Sequence, residues 1–570
     1  MAGKKDLRQT NLNRKPIEMN IVQLLLKCLA PMAKKFELQT KDPIRAQKKI
    51  LFEYLLRNKN TEYGKSYKFG TINSIEDFQA KVPICNYENL RLSVESMTRG
   101  KKNVLTADKP VFFGRTSGTT GKPKLIPVTK YSRNKKAELM ALWTYYISRD
   151  HPGATNGKVF AIIDPEVKTV TESGVPCGPE NGHAYVNLPY IIKRSCAIPY
   201  EIFDIESYNA RYYTILRIAI EHDITTLATL NPSAIIILCQ KIKRWKDRII
   251  EDIEKGTLDQ GFDIPAHIRA VAEKRMKPNP LRARELRRIL DEKGELLPKH
   301  FWPNLKLIEC WKGGTVKLYL EGLTRYFGDM PIRDFGCLST ETRSSIPITD
   351  DGAGGILAIN TNFYEFVPKE DMHKANRSTV LCDRLEKGRE YLLIVTTPGG
   401  LYRYDTDDVI RVDGFFNKTP VIEFIQKGLN AISLSGEKLY ESHVNEAINA
   451  ANNELKLVIK FFSASVQMEK PPRYIFLTEF TDDPSQDKKK ALLKSVEDEL
   501  CRRNLEYDDT RQRQELGSPI LKVVSKGEFE KYRSKRVAEG AHETQFKVPE
   551  LMRDPDFQKN FAIEEEIFLD

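Results

Sequence analysis

Val111-Phe-Phe-Gly-Arg-Thr-Ser-Gly-Thr-Thr-Gly-Lys-Pro-Lys-Leu-Ile-Pro127 is the stretch on which the reading of this chain turns. Between Thr116 and Lys124 it gathers four hydroxyls (Thr116, Ser117, Thr119, Thr120), two glycines (Gly118, Gly121) and two lysines (Lys122, Lys124). Val111-Phe-Phe leads in and Leu125-Ile-Pro-Val128 leads out, a pattern that predicts strand, polar loop, strand. Glycines let backbone N–H groups approach an anion, hydroxyls add donors and lysines add charge, so the loop suits a polyphosphate. It is not a Walker A loop. The first glycine of that motif would fall on Thr116, and Pro123 follows Lys122 where Ser or Thr is required. A shorter Gly/Ser/Thr run would read as an ordinary turn; the complete run is far more specific.

The chain around it has 570 residues, 41% hydrophobic and 29% charged. Single cores stop growing near roughly 250–300 residues, so more than one domain is expected. The net charge of +12 is a mild excess of 90 basic over 78 acidic side chains. With no RNA-binding aromatic signature and no zinc-finger spacing, a solvated Lys-rich surface explains it better than a nucleic-acid partner. Nine dispersed cysteines without a C-x-x-C pair point to free thiols in a reducing compartment. The apolar run Ile21–Ala33 contains Lys27 and is too short for a transmembrane segment. A cytoplasmic location is expected.

Working outward, hydrophobic periodicity predicts helices from Met19 to Asn58 broken near Pro31 and Pro43, then Arg133–Arg149, Tyr208–Glu221 and Ser233–Ile250. Strands are expected at Val159–Ile163, Asp223–Leu230, Leu305–Trp311, Gly355–Asn360, Tyr391–Thr397 and Thr419–Gln426, with a Gly/Pro-rich loop reaching Pro189. Strand–helix alternation indicates an α/β body with mixed and parallel sheets. The charge-dense stretch Lys241–Lys299 reads as a solvated helical excursion laced with ion pairs. A boundary is expected at Lys427-Gly428. It divides the chain into an N-terminal domain, 1–426, and a small α+β C-terminal domain, 427–570.

Three later motifs carry chemistry. Asp334-Phe-Gly-Cys-Leu-Ser-Thr-Glu341 joins a hydroxyl pair to a carboxylate; Glu341 is suited to hold Mg²⁺ beside phosphates, and a turn or helix cap is the plain alternative. Gly400-Leu-Tyr-Arg-Tyr-Asp-Thr-Asp-Asp-Val-Ile410 brings two aromatics and an arginine to Asp405, Asp407 and Asp408. A carboxylate there can accept both ribose hydroxyls; an acidic turn between strands is the alternative. Gly540-Ala-His-Glu-Thr-Gln-Phe-Lys-Val-Pro549 puts Lys547 near the C-terminus, where a lone lysine is ordinarily surface solvation.

In this order and spacing the motifs resemble the auxin-responsive Gretchen Hagen family of acyl acid amido synthetases, within the adenylate-forming superfamily. Asn60-Thr-Glu-Tyr-Gly-Lys-Ser-Tyr, Phe78-Gln-Ala-Lys-Val-Pro-Ile, Trp302-Pro-Asn-Leu-Lys-Leu-Ile-Glu-Cys-Trp-Lys-Gly-Gly and Asn362-Phe-Tyr-Glu-Phe-Val-Pro also look like this family. The resemblance implies a large adenylate-forming α/β domain and a mobile C-terminal lid turning about Lys427 and Gly428. It implies that Thr116, Ser117, Gly118, Thr119, Thr120, Gly121 and Lys122 wrap the ATP phosphates. Ser339 and Thr340 would touch the nucleotide, Glu341 would hold Mg²⁺, Asp408 would bind ribose and Lys547 would reach the carboxylate and α-phosphate.

Two positions depart from the family pattern: Cys337 stands where a tyrosine usually stacks on adenine, and Asp407 where a glycine precedes the ribose aspartate. The implied reaction joins a carboxylic acid to AMP and then to an amine, an amino acid in the family. A thioester-forming acyl-CoA synthetase and a catalytically degenerate nucleotide-binding scaffold are the alternatives.

Overall fold

The structure, a computed structural model, describes residues 16–570 apart from 116–123, 314–316, 373, 375, 429–431, 433, 436, 438, 470, 513–514, 540–545 and 570. Eight strands come first: β1 (Pro110–Arg115), β2 (Leu125–Thr129), β3 (Lys158–Ala161), β4 (Thr169–Val170), β5 (Pro176–Gly178), β6 (Ile224–Ala228), β7 (Leu307–Glu309) and β8 (Ile332–Arg333). They form two sheets, in the orders β2-β1-β5-β4 and β3-β6-β7-β8. In the second sheet all neighbours are parallel. That is the outcome of strand–helix alternation: the helices Tyr208–Ala219 and Pro232–Lys255 flank β6, every residue of which is buried.

Six further strands follow, β9 (Ser345–Ile346), β10 (Gly355–Leu357), β11 (Phe363–Pro368), β12 (Glu390–Thr396), β13 (Tyr404–Phe416) and β14 (Thr419–Lys427). Their sheet runs β11-β12-β13-β14-β10-β9, antiparallel at each junction. The body is therefore mixed, with a parallel sheet and a larger antiparallel one. Beyond Lys427, β15 (Ile459–Gln467), β16 (Arg473–Phe480), β17 (Ile520–Val524) and β18 (Ile563–Phe568) make a fourth sheet. The helices Glu441–Leu455 and Gln486–Arg503 share an apolar core with it through Val444, Ile448, Leu492 and Val496.

Three expectations are corrected. No break occurs at Pro31: the helix Pro16–Gln39 runs through it, anchored by the buried Ala33 and Phe36. Their burial offsets the roughly 3 kcal/mol that an interior proline costs. The segment expected as loop up to Pro189 contains β4, β5 and the helix Glu180–Val186. Finally, the acidic motif after Tyr404 is not a turn but the start of a 13-residue strand. Register shifts at Leu392/Ile394 and Val409/Ile410 fold the extra residues into it.

The expected break at Pro43 is present. Asp42 caps the next helix, accepting from Arg45 N at 3.2 Å, and Pro43 takes the first helical position.

Candidate active site

β1 and β2 pair antiparallel, Arg115 against Leu125, and carry the two ends of the hydroxyl-rich loop. Its residues Thr116, Ser117, Gly118, Thr119, Thr120, Gly121 and Lys122 lie outside the described residues. What is described is the base that presents them. Phe112 and Phe113 are wholly buried, and β1 is held on its other side by β5 through Phe113 and Gly114.

The second motif ends in a tight turn. Leu338 bridges Arg343, Ser339 N donates to Thr342 O at 2.8 Å, and Ser339 Oγ accepts from Thr342 N at 3.3 Å. The turn reading is thus realised, and the turn presses on the loop's base: an ideal Cβ added at Gly114 would meet Thr340 Cγ2 at 2.6 Å. The Thr340 carbonyl accepts from Lys136 Nζ at 3.0 Å. Glu341 takes part in no hydrogen bond or ion pair among the described residues, and its charge is felt by Tyr404, Asp408 and Lys427. At the start of the motif Asp334 accepts Lys312 N at 2.5 Å and also accepts Gly336 N. Burial pushes its carboxyl up to about 6 against those backbone donors.

In the third motif the residues divide between fold and site. Arg403, at a left-handed φ of 43°, gives both ends of its guanidinium to Glu365 at 3.0 and 2.9 Å and also donates to the Gln79 and Val82 carbonyls. Tyr402 and Tyr404 are buried, and Asp405 pairs with Arg377 at 2.5 Å. Asp407 has a φ of 59°, the conformation that favours glycine at that place. Asp408, opposite Lys427 across β13 and β14, pairs with its ammonium at 2.5 Å. Burial pushes the Asp408 carboxyl up while Lys427 pulls it back. Burial works against the Lys427 charge, but Asp408 and Glu341 outweigh it and hold the ammonium above its ordinary range.

Lys547 comes from 139 residues beyond Asp408 to the same place. Its Nζ lies 5.3 Å from the Trp311 ring, and Glu550, Glu441, Lys427 and Asp334 are the charges that face it. Burial pushes this ammonium down, with Glu550 and Glu441 pulling it back up. Phe546, the residue before it, is buried, and its carbonyl accepts from Asn231 Nδ2 at 3.5 Å.

Lys427 therefore links two groups of charges: it is paired with Asp408 and feels Glu341, and it faces Lys547, which also faces Asp334. Lys427, read from sequence as a hinge, is a cation of this cluster. Gly428 donates its N–H to Asp407 O at 2.8 Å. Cys337, half-buried beside Asp408 and Glu423, has its thiol pushed up by burial. Glu441 and Lys136 carry no motif signal of their own and emerge only from the fold, whereas Trp311 lies in the Trp302–Gly314 stretch that looks like the family, with no role attached to it. Among the described residues no cluster of three or more His, Cys, Asp or Glu forms a metal cage.

A mixed α/β body followed by a C-terminal α+β unit is the fold of an acyl acid amido synthetase. The solved structure of the GH3.15 acyl acid amido synthetase matches over 95% of this chain and 97% of its own, with a TM-score of 0.84 at 22% identity, a likeness of fold. The chain belongs to the GH3 family: the family's N-terminal domain matches residues 32–332, its central domain 355–427 and its C-terminal domain 442–556. Among its relatives, the indole-3-acetic acid-amido synthetase GH3.4 of Arabidopsis thaliana is 26% identical over 90% of this chain and 89% of its own. The jasmonoyl–L-amino acid synthetase JAR6 of Nicotiana attenuata is 26% identical over 90% of this chain and 92% of its own.

Proposed function

We propose that this chain is an ATP-dependent ligase that activates a carboxylic acid as its acyl-adenylate and transfers the acyl group to the amine of an amino acid. The approach of Lys547 to Lys427, itself paired with Asp408, supports the reading, because it brings a second cation from the C-terminal unit towards the carboxylate read as the ribose partner. In the first half-reaction a carboxylate oxygen attacks the α-phosphorus of ATP, the bond to the pyrophosphate oxygen breaks, and pyrophosphate leaves with the electron pair. Lys547 stabilises charge developing on the carboxylate and α-phosphate oxygens, and its place among other charges preorganises it. Asp408 accepts the ribose hydroxyls, and Thr116 to Lys122 supply donors to the phosphates. Lys427 holds Asp408 in position.

Mg²⁺ fits Glu341, an unpaired carboxylate among the described residues, because that ion takes one or two carboxylates together with phosphate oxygens. When bound it neutralises phosphate charge. Ser339 and Thr340 form the wall that meets the nucleotide. We further propose that residues 1–426 form the adenylation domain and 427–570 a lid that swings about Lys427 and Gly428 between half-reactions. Among the described residues no helix is long and apolar enough to cross a membrane.

ATP–pyrophosphate exchange tests this, run against indole, jasmonate-like, benzoate and fatty acids without amine. Exchange with one class is expected, and Lys547→Ala is expected to lower it by about 10²–10³-fold, the cost of one oxyanion-type donor, while nucleotide binding persists. An unchanged rate in the variant would remove Lys547 from the role given to it.

A further inference from the structure

Two buried polar atoms beside the loop's base have no partner among the described residues, His183 Nε2 and Glu180 Oε2. They stand one turn apart on the helix Glu180–Val186, which packs on β1. The His183 ring is 5% exposed and stacks on Phe112 with centroids 4.1 Å apart. Two residues further along β1, on the same face, the Cβ direction of Gly114 points between Thr340 Cγ2 and Glu180 Oε2, at 2.6 and 3.9 Å. The other Glu180 oxygen meets Lys136 Nζ at 2.5 Å, and the same ammonium reaches Thr340 O. The pair of unpartnered atoms thus lies along β1, beside Phe112, Gly114 and the turn that carries Thr340.

His183 Nδ1 is 2.7 Å from Glu166 Oε1. A carboxylate only accepts, so Nδ1 carries the proton and Nε2 presents a bare lone pair. Glu180 Oε2 is likewise an acceptor. Leaving such atoms buried and unmatched costs on the order of 1–3 kcal/mol each, and each calls for a hydrogen-bond donor such as an N–H group. A carboxylate or phosphate would meet repulsion from Glu180.

Resting on the ligase reading above, we propose that His183 is the general base of the amide-forming half-reaction. Its Nε2 takes one proton from the incoming ammonium while Glu180 accepts a second N–H. The freed amine attacks the acyl carbonyl, the C–N bond forms, and the C–O bond to AMP breaks with its electron pair leaving on AMP. The nitrogen's remaining excess proton passes to water. The charged groups facing His183 are Glu166 from the loop after β3, Glu180 on its own helix and Arg133 from the helix Lys130–Asp150. Burial pushes its imidazole below the ordinary range, with Glu166 pulling it back up, so it is free to accept a proton at neutral pH.

The test separates the halves of the reaction. Once exchange has identified an acid, amide formation is followed with a mixture of amino acids and, separately, with hydroxylamine, whose nitrogen is already unprotonated at neutral pH. His183→Asn should lose amino-acid conjugation by about 10²–10⁴-fold at pH 7 and recover as pH rises, while exchange and hydroxamate formation continue. Glu166→Gln should give the same selective loss, smaller, and carries the test if the first variant does not fold. Conjugation of amino acids at the wild-type rate would overturn the proposal. So would equal loss with amino acids and hydroxylamine in folded protein, which would make His183 a support for β1. Absence of exchange in the wild type with every acid would overturn the ligase reading, and this inference with it.

Discussion

Glu309, the last residue of β7, shows what a single buried carboxyl does to the whole protein. Burial pushes it up to about 8, with Arg333 and Arg343 pulling it back. Unfolded, it titrates near 4.3, so between about 4 and 8 the folded chain holds a proton that the unfolded chain has released. Stability from this group is present at low pH and is lost as pH rises through that window. Glu309→Gln should flatten the fall of the melting temperature between pH 6 and 8; an unaltered slope would assign the fall to another group. Nothing at position 309 announces this in sequence, because the cause is the desolvation that tertiary packing imposes. Asp408 and Lys547 stand in long motifs with characteristic neighbours, and each has Lys427 among the charges that face it. Arg403 was given no role by its motif, because its partners lie far away in sequence. The fold spends it on Glu365 and on carbonyls more than 300 residues upstream.

Among the elements, the hairpin β1–β2 and the turn Leu338–Arg343 act as a pair, and Gly114 is where they touch. Gly114→Ala puts a methyl into the place of Thr340 Cγ2, so one of the two must shift. Overpacking of this kind costs about 1–3 kcal/mol, to be read as a lower denaturation midpoint, and pyrophosphate exchange should fall with it. A midpoint equal to wild type would show that the turn gives way freely. Periodicity located long helices such as Lys130–Asp150 and Pro232–Lys255 and most body strands, because each has a clean apolar face. It did not reveal β13 as a strand, because Asp405, Asp407 and Asp408 break the alternation there and are tolerated by pairing with Arg377 and Lys427. β4 and β5 are two and three residues long, too short for any period to appear.

Across the whole molecule, the basic stretch is internally matched: Lys255 with Glu251, Arg269 with Glu273, Arg287 with Glu254 and Arg288 with Glu292. Lys241 is different. It is buried among Tyr208, Trp245 and Tyr212, 4.7, 4.9 and 5.6 Å from their rings, and meets Glu530 of the C-terminal unit at 3.1 Å. Glu530→Gln removes the charge that draws the two parts together while leaving the aromatic enclosure in place. The C-terminal unit should then undock more often, seen as faster limited proteolysis between β14 and the helix Glu441–Leu455. Equal cleavage would mean that the remaining contacts, among them Asn231 with Phe546 and Tyr319 on Phe461, hold it without this ion pair.

The indole beneath Lys547 has one more consequence. Of the four tryptophans, Trp143, Trp245 and Trp302 are buried in the body, while Trp311 faces an ammonium brought by the C-terminal unit. A positive charge over an indole face perturbs its excited state, and the perturbation vanishes when the charge is carried away. If the C-terminal unit swings as proposed above, the emission of Trp311 is expected to change with it, a signal readable in stopped flow without a label.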